Sequence, residues 1–290
     1  MQTPFRSVGL VGKYGQQSLA SAVHQLARFV HARGHEVVLA ADTATRMGIT
    51  DFPALPLTEL ADQVDALLVF GGDGTMLSIA RTLVNHSTPL IGINQGHLGF
   101  LTDITVDEMF DAVAEILSGQ YVAEDRILLK AQVRRGASVA CEAVAFNDVV
   151  VGKGGLGRLI DMEVAINGEF VYNQRSDGLI VTTPTGTTAY SLSAGGPIVH
   201  PTLEAFSIVP ICPHTLTARP IVVSSESRIE IRLNQTDDAR VHFDGQQHFD
   251  LANGDHVWIT RASRPVTLLH PHSYSYYDTL REKLLWGKKL

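Results

Sequence analysis

A group of three glycines around one aspartate constrains the fold of this chain more than any other feature. The run Gly71-Gly72-Asp73-Gly74-Thr75 follows the apolar segment 66–70 and precedes a helical pattern that starts at Met76. A buried strand, a tight turn and a helix are therefore predicted in succession. Glycine removes the Cβ atoms that would keep a ligand off the backbone, and amides at a helix N-terminus attract anions. The segment is thus typical of a phosphate-binding turn.

Asp73 places a carboxylate among these anion-binding amides, which simple attraction of a phosphate would not require. The carboxylate is explained if it takes the proton of a hydroxyl group or holds a divalent metal beside the phosphates. The structural alternative is an ordinary strand-to-helix turn in which Asp73 is the N-cap of the helix. The functional interpretation is preferred, and the alternative is kept open here.

Alternating strands and helices predict an α/β domain with a parallel, Rossmann-like sheet in the first part of the chain. Strands are predicted at 7–12, 36–40, 66–70 and 89–94, and helices at about 18–33, 76–85 and 107–118. Ligands bind such sheets at the carboxyl ends of the strands. Gly12-Lys13, the turn 71–75 and the loop 94–100 all fall at that edge, so together they predict a binding crevice.

After residue 120 the pattern changes to short β-rich segments without a long helix between them. Strands are predicted at 128–134, 140–151, 160–166, 169–172, 221–223, 228–233, 240–243, 256–259 and 266–270. Asn167-Gly168 and Asn253-Gly254 are two-residue turn signals, so this part is predicted to be an all-β sandwich of antiparallel strands. One helix, at about 187–193, interrupts it. A C-terminal helix at 277–286 returns to the first domain, which gives predicted domains of 1–122 with 275–290 and of 123–274.

Charge and composition restrict the partners and the location of the protein. The net charge of -7 and the isoelectric point of about 5.9 argue against a nucleic-acid surface. Only two cysteines are present, Cys141 and Cys212, which suits a reducing cytoplasm. The N-terminus lacks a signal-peptide pattern, and no apolar run approaches the ~20 residues that span a bilayer. We therefore expect a cytoplasmic protein that binds neither nucleic acid nor membrane.

Several familiar motifs are absent or excluded by their context. The glycine run 152–157 matches a dinucleotide fingerprint, but the residues after it alternate like a strand, so a loop between strands is preferred. The sequence has neither a P-loop nor a G-x-S-x-G nucleophile elbow. The histidines do not form a metal-binding set. His270 and His272 lie in a segment with proline and serine and are expected to be in solvent.

A second informative segment runs from Thr182 to Ser193, where seven serine and threonine residues surround Gly186. The segment lies at a predicted strand-to-helix junction. One hydroxyl, from Thr185 or Thr187, is enough to cap the helix, and capping alone is the structural alternative. The excess of short hydroxyl side chains favours a polar ligand with many oxygen atoms.

Two further polar pairs occur in the predicted β domain. Arg175 and Asp177 offer a donor fork and an acceptor. Asn147 and Asp148 interrupt an apolar strand, a place where such residues are disfavoured. A ligand role for this pair is preferred over a bulge or turn.

These segments, in the order in which they occur, resemble those of the bacterial NAD kinases, the enzymes that phosphorylate NAD to NADP. The resemblance covers essentially the whole chain. The matching segments are 71–75, 94–101, 147–148, 175–178, 185–193 and 244–246. Lipid kinases and phosphofructokinases have related glycine turns, and the hydroxyl-rich segment and the loop 94–101 favour NAD kinase. The resemblance implies an α/β domain, a β-sandwich, an active site between them, and a homodimer or homotetramer.

The resemblance also implies roles for individual residues. Asp73 is the expected general base on the 2′-hydroxyl of the adenosine ribose of NAD, with ATP as the phosphoryl donor and a divalent cation, Mg²⁺ or Mn²⁺, as cofactor. Gly71, Gly72, Gly74 and Thr75 are expected at the ATP phosphates. The residues expected to bind NAD are Asp73, Gly74, Phe100, Asn147, Asp148, Arg158, Arg175, Asp177, Thr185, Thr188, Ala189, Tyr190, Ser191, Leu192, Ser193 and Gln246. Relatives commonly have glutamate at position 148, so Asp148 keeps the charge with a shorter reach.

The residue types support this chemistry independently of the family resemblance. A ribose hydroxyl is a poor nucleophile at neutral pH, and a carboxylate that takes its proton speeds transfer by roughly 10²–10⁴. Two other functions are considered. A lipid kinase on the same fold needs an apolar channel, whereas the second site here is polar. A nucleotide-binding regulator without catalysis would be favoured by a change at Asp73, which is present.

Overall fold

The computed structural model describes residues 5–12, 17–96, 99–155, 158–236 and 238–286. The chain forms two compact units, one made of Met1–Asp125 and Val266–Leu290 and the other of Arg126–Pro265. Five residues of the loops discussed above lie outside the described residues: Lys13, His97, Leu98, Leu156 and Gly157. In the part of the chain that the structure describes, no helix is long and apolar enough to cross a membrane.

The first unit alternates strands and helices, as predicted. Its elements are β1 (Ser7–Gly12), α1 (Gln17–Ala32), β2 (Glu36–Ala40), α2 (Ala41–Met47), β3 (Ala54–Leu55), α3 (Leu57–Gln63), β4 (Ala66–Phe70), α4 (Asp73–Thr82), β5 (Leu90–Asn94), β6 (Ile104–Thr105), α5 (Met109–Leu117) and β7 (Val122–Arg126), followed near the C-terminus by β20 (Val266–His270) and α7 (Tyr276–Lys283). The short elements β3, α2, α3 and β6 were not predicted, because they are too brief to show a periodic pattern.

The sheet of the first unit has the strand order β3-β2-β1-β4-β5-β20-β7, with β6 beside β5. Strand β1 pairs in parallel with both β2 and β4, and β4 pairs in parallel with β5. All residues of β4 and β5 are buried, since the sheet lies beneath helices such as α1 and α5. Strand order reverses between β1 and β4, so the carboxyl ends of these strands mark the usual ligand-binding edge.

The second unit is a sandwich of two antiparallel sheets. Its elements are β8 (Leu129–Arg135), β9 (Ser138–Ala145), β10 (Asp148–Lys153), β11 (Ile160–Ile166), β12 (Glu169–Ser176), β13 (Gly178–Thr182), a 3₁₀ helix (Thr185–Thr188), α6 (Tyr190–Ser193), β14 (Ala205–Ile211), β15 (Ile221–Ser224), β16 (Ile229–Gln235), β17 (Ala239–Phe243), β18 (Gln247–Leu251) and β19 (His256–Arg261). The sheets β15-β14-β13-β10-β17-β18 and β12-β11-β16-β19-β8-β9 share one apolar core. This architecture confirms the predicted sandwich.

Two predicted elements of the second unit differ in the structure. The apolar run 140–151 is not one strand, because β9 ends at Ala145 in one sheet and β10 begins at Asp148 in the other. Asn147 is therefore at a corner between sheets and not in the middle of a strand. The predicted helix 187–193 is a 3₁₀ turn followed by one short α-helix, with Ala189 in a non-helical conformation between them.

The chain returns to the first unit at β20, earlier than the predicted return at 275. Leu268 of β20 lies opposite Leu90 of β5 in parallel register, which places this strand in the first sheet and not in the sandwich. His270, the last residue of β20, is completely buried, so its predicted exposure is wrong. The proline and serine after it mark the end of a buried strand. His272 is exposed, as predicted.

Candidate active site

The glycine turn brings Asp73 to the N-terminus of α4, directly beyond the carboxyl end of β4. Gly71 has a φ of 157°, and a Cβ atom there would overlap the side chain of Thr75, so only glycine fits this position. Gly72 and Gly74 are exposed, whereas Thr75 is buried. The solvent-facing backbone at positions 72 and 74 is the part of this turn that a phosphate can reach.

The Asp73 side chain is oriented by a distant loop and does not cap its helix. Gly72 occupies the N-cap position of α4 and makes no side-chain cap. The Asp73 carboxylate accepts the backbone N–H of Phe100 at Oδ2 (2.9 Å) and that of Leu101 at Oδ1 (3.0 Å). The Thr102 hydroxyl donates to Oδ1 at 3.3 Å. The N-cap interpretation of Asp73 is therefore wrong.

The loop 99–102 is shaped to approach this carboxylate closely. The backbone N–H of Gly99 donates to the carbonyl oxygen of Thr102 at 2.9 Å, which closes the loop. A Cβ atom on Gly99 would overlap Asp73 Oδ1. From the end of β5, Asn94 Nδ2 donates to Thr102 Oγ1 at 3.1 Å. Asp73 thus has a fixed orientation while its side chain remains half-exposed.

This arrangement has a specific chemical capacity. Each carboxylate oxygen has two lone pairs, so an oriented carboxylate can accept a further proton or hydrogen bond from a ligand. A hydroxyl group held beside the exposed backbone of the turn would be within the reach that general-base catalysis requires. A phosphate at the same helix N-terminus would meet backbone N–H groups and the positive end of the helix dipole.

In the second unit, the corner after β9 is held by one carboxylate. Asp244 Oδ1 accepts the backbone N–H of Asn147 (2.7 Å) and of Asp148 (3.1 Å), and Oδ2 accepts that of Phe146 (3.0 Å). Asp244 has a φ of 51°, in the turn between β17 and β18. These contacts explain why the chain can leave one sheet at Ala145 and enter the other at Asp148.

The hydroxyl-rich segment packs against this corner. Thr182 Oγ1 donates to the carbonyl oxygen of Asn147 (2.9 Å), and Thr183 Oγ1 donates to that of Phe146 (2.7 Å). A Cβ atom on Gly186 would overlap the Asn147 carbonyl oxygen. Two further hydroxyls, of Thr187 and Thr188, also donate to backbone carbonyls. The excess of hydroxyl groups, from which the sequence predicts a polar ligand, is therefore explained in large part by internal hydrogen bonds.

Asp148 is an unusual acid in this network. Its side chain is buried at the start of β10, and burial together with the nearby charge of Asp244 raises its pKa to about 7. A carboxyl group with that pKa is partly protonated near neutral pH, and it can then donate as well as accept a hydrogen bond. Strongly perturbed acids of this kind are frequent in functional sites.

A cavity of about 390 Å³ opens on the second unit. Its lining residues are Val150, Gly152, Lys153, Asp177, Tyr190, Ile211, His242 and Gly245. Lys153 Nζ and Asp177 Oδ1 form an ion pair at 2.6 Å. Burial, and after it the electrostatic effect of the neighbouring His248 and Arg240, lowers the pKa of His242. Apolar walls with a few polar groups are typical of small-molecule sites.

The structure separates the predicted site residues of the second unit into groups. Asp177 and Tyr190 line the cavity, while Arg158 and Arg175 line a different pocket of about 100 Å³. The others differ in exposure: Asn147, Thr188, Ala189 and Leu192 are half-buried, Thr185 and Ser191 are buried, and Ser193 and Gln246 are exposed. Lys153 and His242 were not predicted, because a lysine in a glycine-rich loop and a histidine in a strand have no distinctive spacing.

Comparison with known proteins identifies two family domains. Residues 8–121 match the ATP-NAD kinase N-terminal domain, and residues 146–270 match the ATP-NAD kinase C-terminal domain. An NAD kinase of Thiobacillus denitrificans is 73% identical over 290 residues, which cover all of both chains. An NAD kinase of Chromobacterium violaceum is 49% identical, also over the full length of both chains.

The chain is also similar to solved structures of kinases, including the following two. Yeast NADH kinase complexed with NADH aligns with a TM-score of 0.91 and 25% identity, covering 100% of this chain and 90% of that one. An NAD kinase from Archaeoglobus fulgidus in complex with ATP aligns with a TM-score of 0.75 and 27% identity, covering 96% and 98%.

Proposed function

Because the chain belongs to the NAD kinase family, we propose that Asp73 is the general base of the reaction that this family catalyses. The enzyme transfers a phosphoryl group from ATP to the 2′-hydroxyl of the adenosine ribose of NAD, and the product is NADP. The observation that carries the proposal is the orientation of Asp73 by the N–H groups of Phe100 and Leu101 at an exposed helix N-terminus.

In the proposed step, the 2′-hydroxyl oxygen forms a bond to the γ-phosphorus of ATP as the bond from that phosphorus to the β-γ bridging oxygen breaks. The hydroxyl proton passes to the Asp73 carboxylate, and ADP leaves with the electron pair of the broken bond. Gly72 and Gly74 support the proposal, because their exposed backbone lies beside the carboxylate at the N-terminus of α4. The same turn is proposed to contact the phosphates.

The side chains of the first unit fit a divalent cation that is held mainly by the phosphates of ATP. Among the described residues, no group of three His, Cys, Asp or Glu side chains could hold a metal ion. Mg²⁺ commonly uses one or two carboxylates together with substrate phosphates and water, and Asp73 offers one half-exposed carboxylate. The cation would neutralise charge on the transferred phosphoryl group. We propose Mg²⁺ or Mn²⁺ in this role.

Purified protein with NAD, ATP and Mg²⁺ is expected to form NADP, measured at the end point with an NADP-specific dehydrogenase. Excess EDTA is expected to abolish product formation, and renewed Mg²⁺ or Mn²⁺ is expected to restore it, because the ATP phosphates then regain their counter-charge. Turnover that persists in EDTA would contradict the metal requirement. NAD binding without any product would favour the regulator over the kinase.

We also propose that the cavity of the second unit binds part of NAD. The exposed ring of Tyr190 at its rim offers a stacking surface, and Asp177, already oriented by Lys153, offers an acceptor for a ribose hydroxyl. Homodimer or homotetramer assembly and a cytoplasmic location are further proposals. The family resemblance supports the assembly, and the free cysteines Cys141 and Cys212 support the cytoplasmic location.

Replacement of Tyr190 by alanine is expected to raise both the KM and the Kd for NAD by about tenfold and to change kcat little, since stacking on an aromatic ring contributes ~1–3 kcal/mol per base. Initial-rate kinetics and calorimetry give the two constants. Tyr277→Ala is the matched control, because Tyr277 is an exposed tyrosine of α7 in the first unit. Unchanged NAD affinity in Tyr190→Ala would remove the ring from the binding site.

A further inference from the structure

A buried histidine far along the chain contacts the segment that holds Asp73. His270 ends β20 and is 0% exposed, and its Nδ1 lies 2.9 Å from Oδ2 of Asp103. The Asp103 side chain is itself only 6% exposed. We assign the proton of this contact to the histidine Nδ1, because carboxylate oxygens are hydrogen-bond acceptors. The pair thus links β20 to the residue that follows Thr102.

The imidazole ring of His270 has a single well-defined orientation. Tyr274 stacks on it, with ring centroids 3.9 Å apart and an angle of 11° between the planes. The other ring nitrogen, Nε2, lies 3.9 Å from Oε2 of Glu124, which is longer than a hydrogen bond. Within the described residues, the hydrogen bond of the ring is therefore the one from Nδ1 to Asp103.

The loop 99–103 is consequently held from two neighbouring strands of the sheet. Asn94, at the end of β5, holds Thr102, and His270, at the end of β20, holds Asp103. Strands β5 and β20 are adjacent and parallel, so both side chains reach the loop from the carboxyl edge of the same sheet. The N–H groups that orient Asp73 belong to Phe100 and Leu101 of this loop.

We propose that His270 is a positioning residue for the phosphoryl transfer, acting through Asp103 and the loop 99–103 on the orientation of the Asp73 carboxylate. The proposal rests on the proposed role of Asp73 as general base. His270 itself touches neither substrate nor Asp73 in this account. Its contribution is to keep the two backbone donors where they hold the carboxylate in one orientation.

Two replacements of similar polarity separate this role from general packing. The Nδ2 amide of asparagine stands as many bonds from the backbone as the histidine Nδ1, so His270→Asn can still donate to Asp103. Glutamine places its amide near the position of Nε2, where the structure shows no hydrogen-bond partner among the described residues. The matched control is His35→Ala, because His35 is also buried in the first unit and uses Nδ1 to contact the carbonyl oxygen of Phe5 at 2.9 Å.

His270→Gln and His270→Ala are expected to lower kcat by about 10- to 100-fold, the effect of a misplacement near 1 Å at a reacting group, with KM for ATP and NAD changed less than about threefold. His270→Asn is expected to regain most of the activity, and His35→Ala to keep it. In the Asp73→Asn background, His270→Gln is expected to cause no further loss. Amide hydrogen exchange at Phe100 and Leu101 is expected to accelerate in His270→Gln and not in His270→Asn.

Several results would overturn the proposal. Equal kcat values for His270→Asn and His270→Gln would do so, as would a loss of kcat in His35→Ala as large as that in His270→Gln. Unchanged amide exchange at Phe100 and Leu101 in folded His270→Gln would also exclude the mechanism. If His270→Ala does not fold, the Asn and Gln pair decides the question. Failure of the general-base role is seen separately, as near-normal turnover of Asp73→Asn alone.

Discussion

Asp73→Asn is expected to lower kcat by roughly 10²–10⁴-fold, while the Kd for NAD stays within about threefold of the wild type. The amide cannot take the proton of the ribose hydroxyl. It also places an NH₂ group against either the N–H of Phe100 or the N–H of Leu101, because both carboxylate oxygens accept backbone hydrogen bonds. Product formation is followed at saturating ATP and Mg²⁺, and NAD binding is measured by calorimetry without ATP.

The matched control for this variant is Asp65→Asn. Asp65 is also an aspartate of the first unit that holds backbone, since its Oδ2 accepts the N–H groups of Arg6 (2.6 Å) and Ser7 (2.8 Å). It precedes β4, whereas Asp73 follows that strand, so it lies at the opposite end from the glycine turn. Turnover of Asp65→Asn is expected to remain within about threefold of the wild type, since surface changes away from the site have small effects. Near-normal turnover of Asp73→Asn would remove the carboxylate from the mechanism.

Asp148→Asn is expected to make the protein more stable at pH 8 and to leave its stability unchanged near pH 4. The pKa of Asp148 is raised from 3.8 to about 7, so the folded state favours the protonated acid. Below about pH 4, Asp148 is protonated in both the folded and the unfolded state, so its contribution to the free energy of unfolding is fully present. Between about pH 4 and 7 the unfolded state ionises first, and stability is lost. Asparagine resembles the protonated acid and escapes this loss, which amounts to roughly 4 kcal/mol above pH 7.

Urea unfolding at pH 4, 5, 6, 7 and 8 measures this difference as the free energy of unfolding. Asp255→Asn is the contrasting variant, because Asp255 is a buried aspartate of the same unit with the opposite shift. Burial alone would raise its pKa, but hydrogen bonds from Arg135 and the N–H of Ala252 hold the pKa below its ordinary value. Asp255→Asn should therefore destabilise the protein at neutral pH. A pH profile of Asp148→Asn parallel to that of the wild type would contradict the assignment.

The sequence was most informative where local chemistry decides the structure. The sequence predicts β1, β2, β4 and β5 because largely buried parallel strands are nearly continuous apolar runs. The strand-to-helix turn at Asp73 was found because its glycines remove side chains where the backbone must be approached. The antiparallel sandwich followed from short strands separated by turn residues such as Asn167-Gly168.

The parts of the site that the sequence did not reveal depend on distant contacts. The partners of Asp73 come from the loop 99–102, and no periodic pattern connects the two segments. The sequence predicts a strand through Asn147, because a corner between two sheets has the same apolar flanks as a continuous strand. Its true environment is decided by Asp244, nearly a hundred residues away. The neighbours of His270 in sequence predict exposure to solvent, whereas its burial follows from the pairing of β20 with β5.

The position of β20 between β5 and β7 has a consequence for how the protein folds during its synthesis on the ribosome. Synthesis runs from the N-terminus, so β5 and β7 emerge well before the strand that must lie between them. The whole sandwich of Arg126–Pro265 is made in the interval, which lasts on the order of ten seconds at ~5–20 residues per second. During that time the nascent sheet has an apolar strand edge without its neighbour. The half of the molecule that is translated first is therefore the half that is completed last.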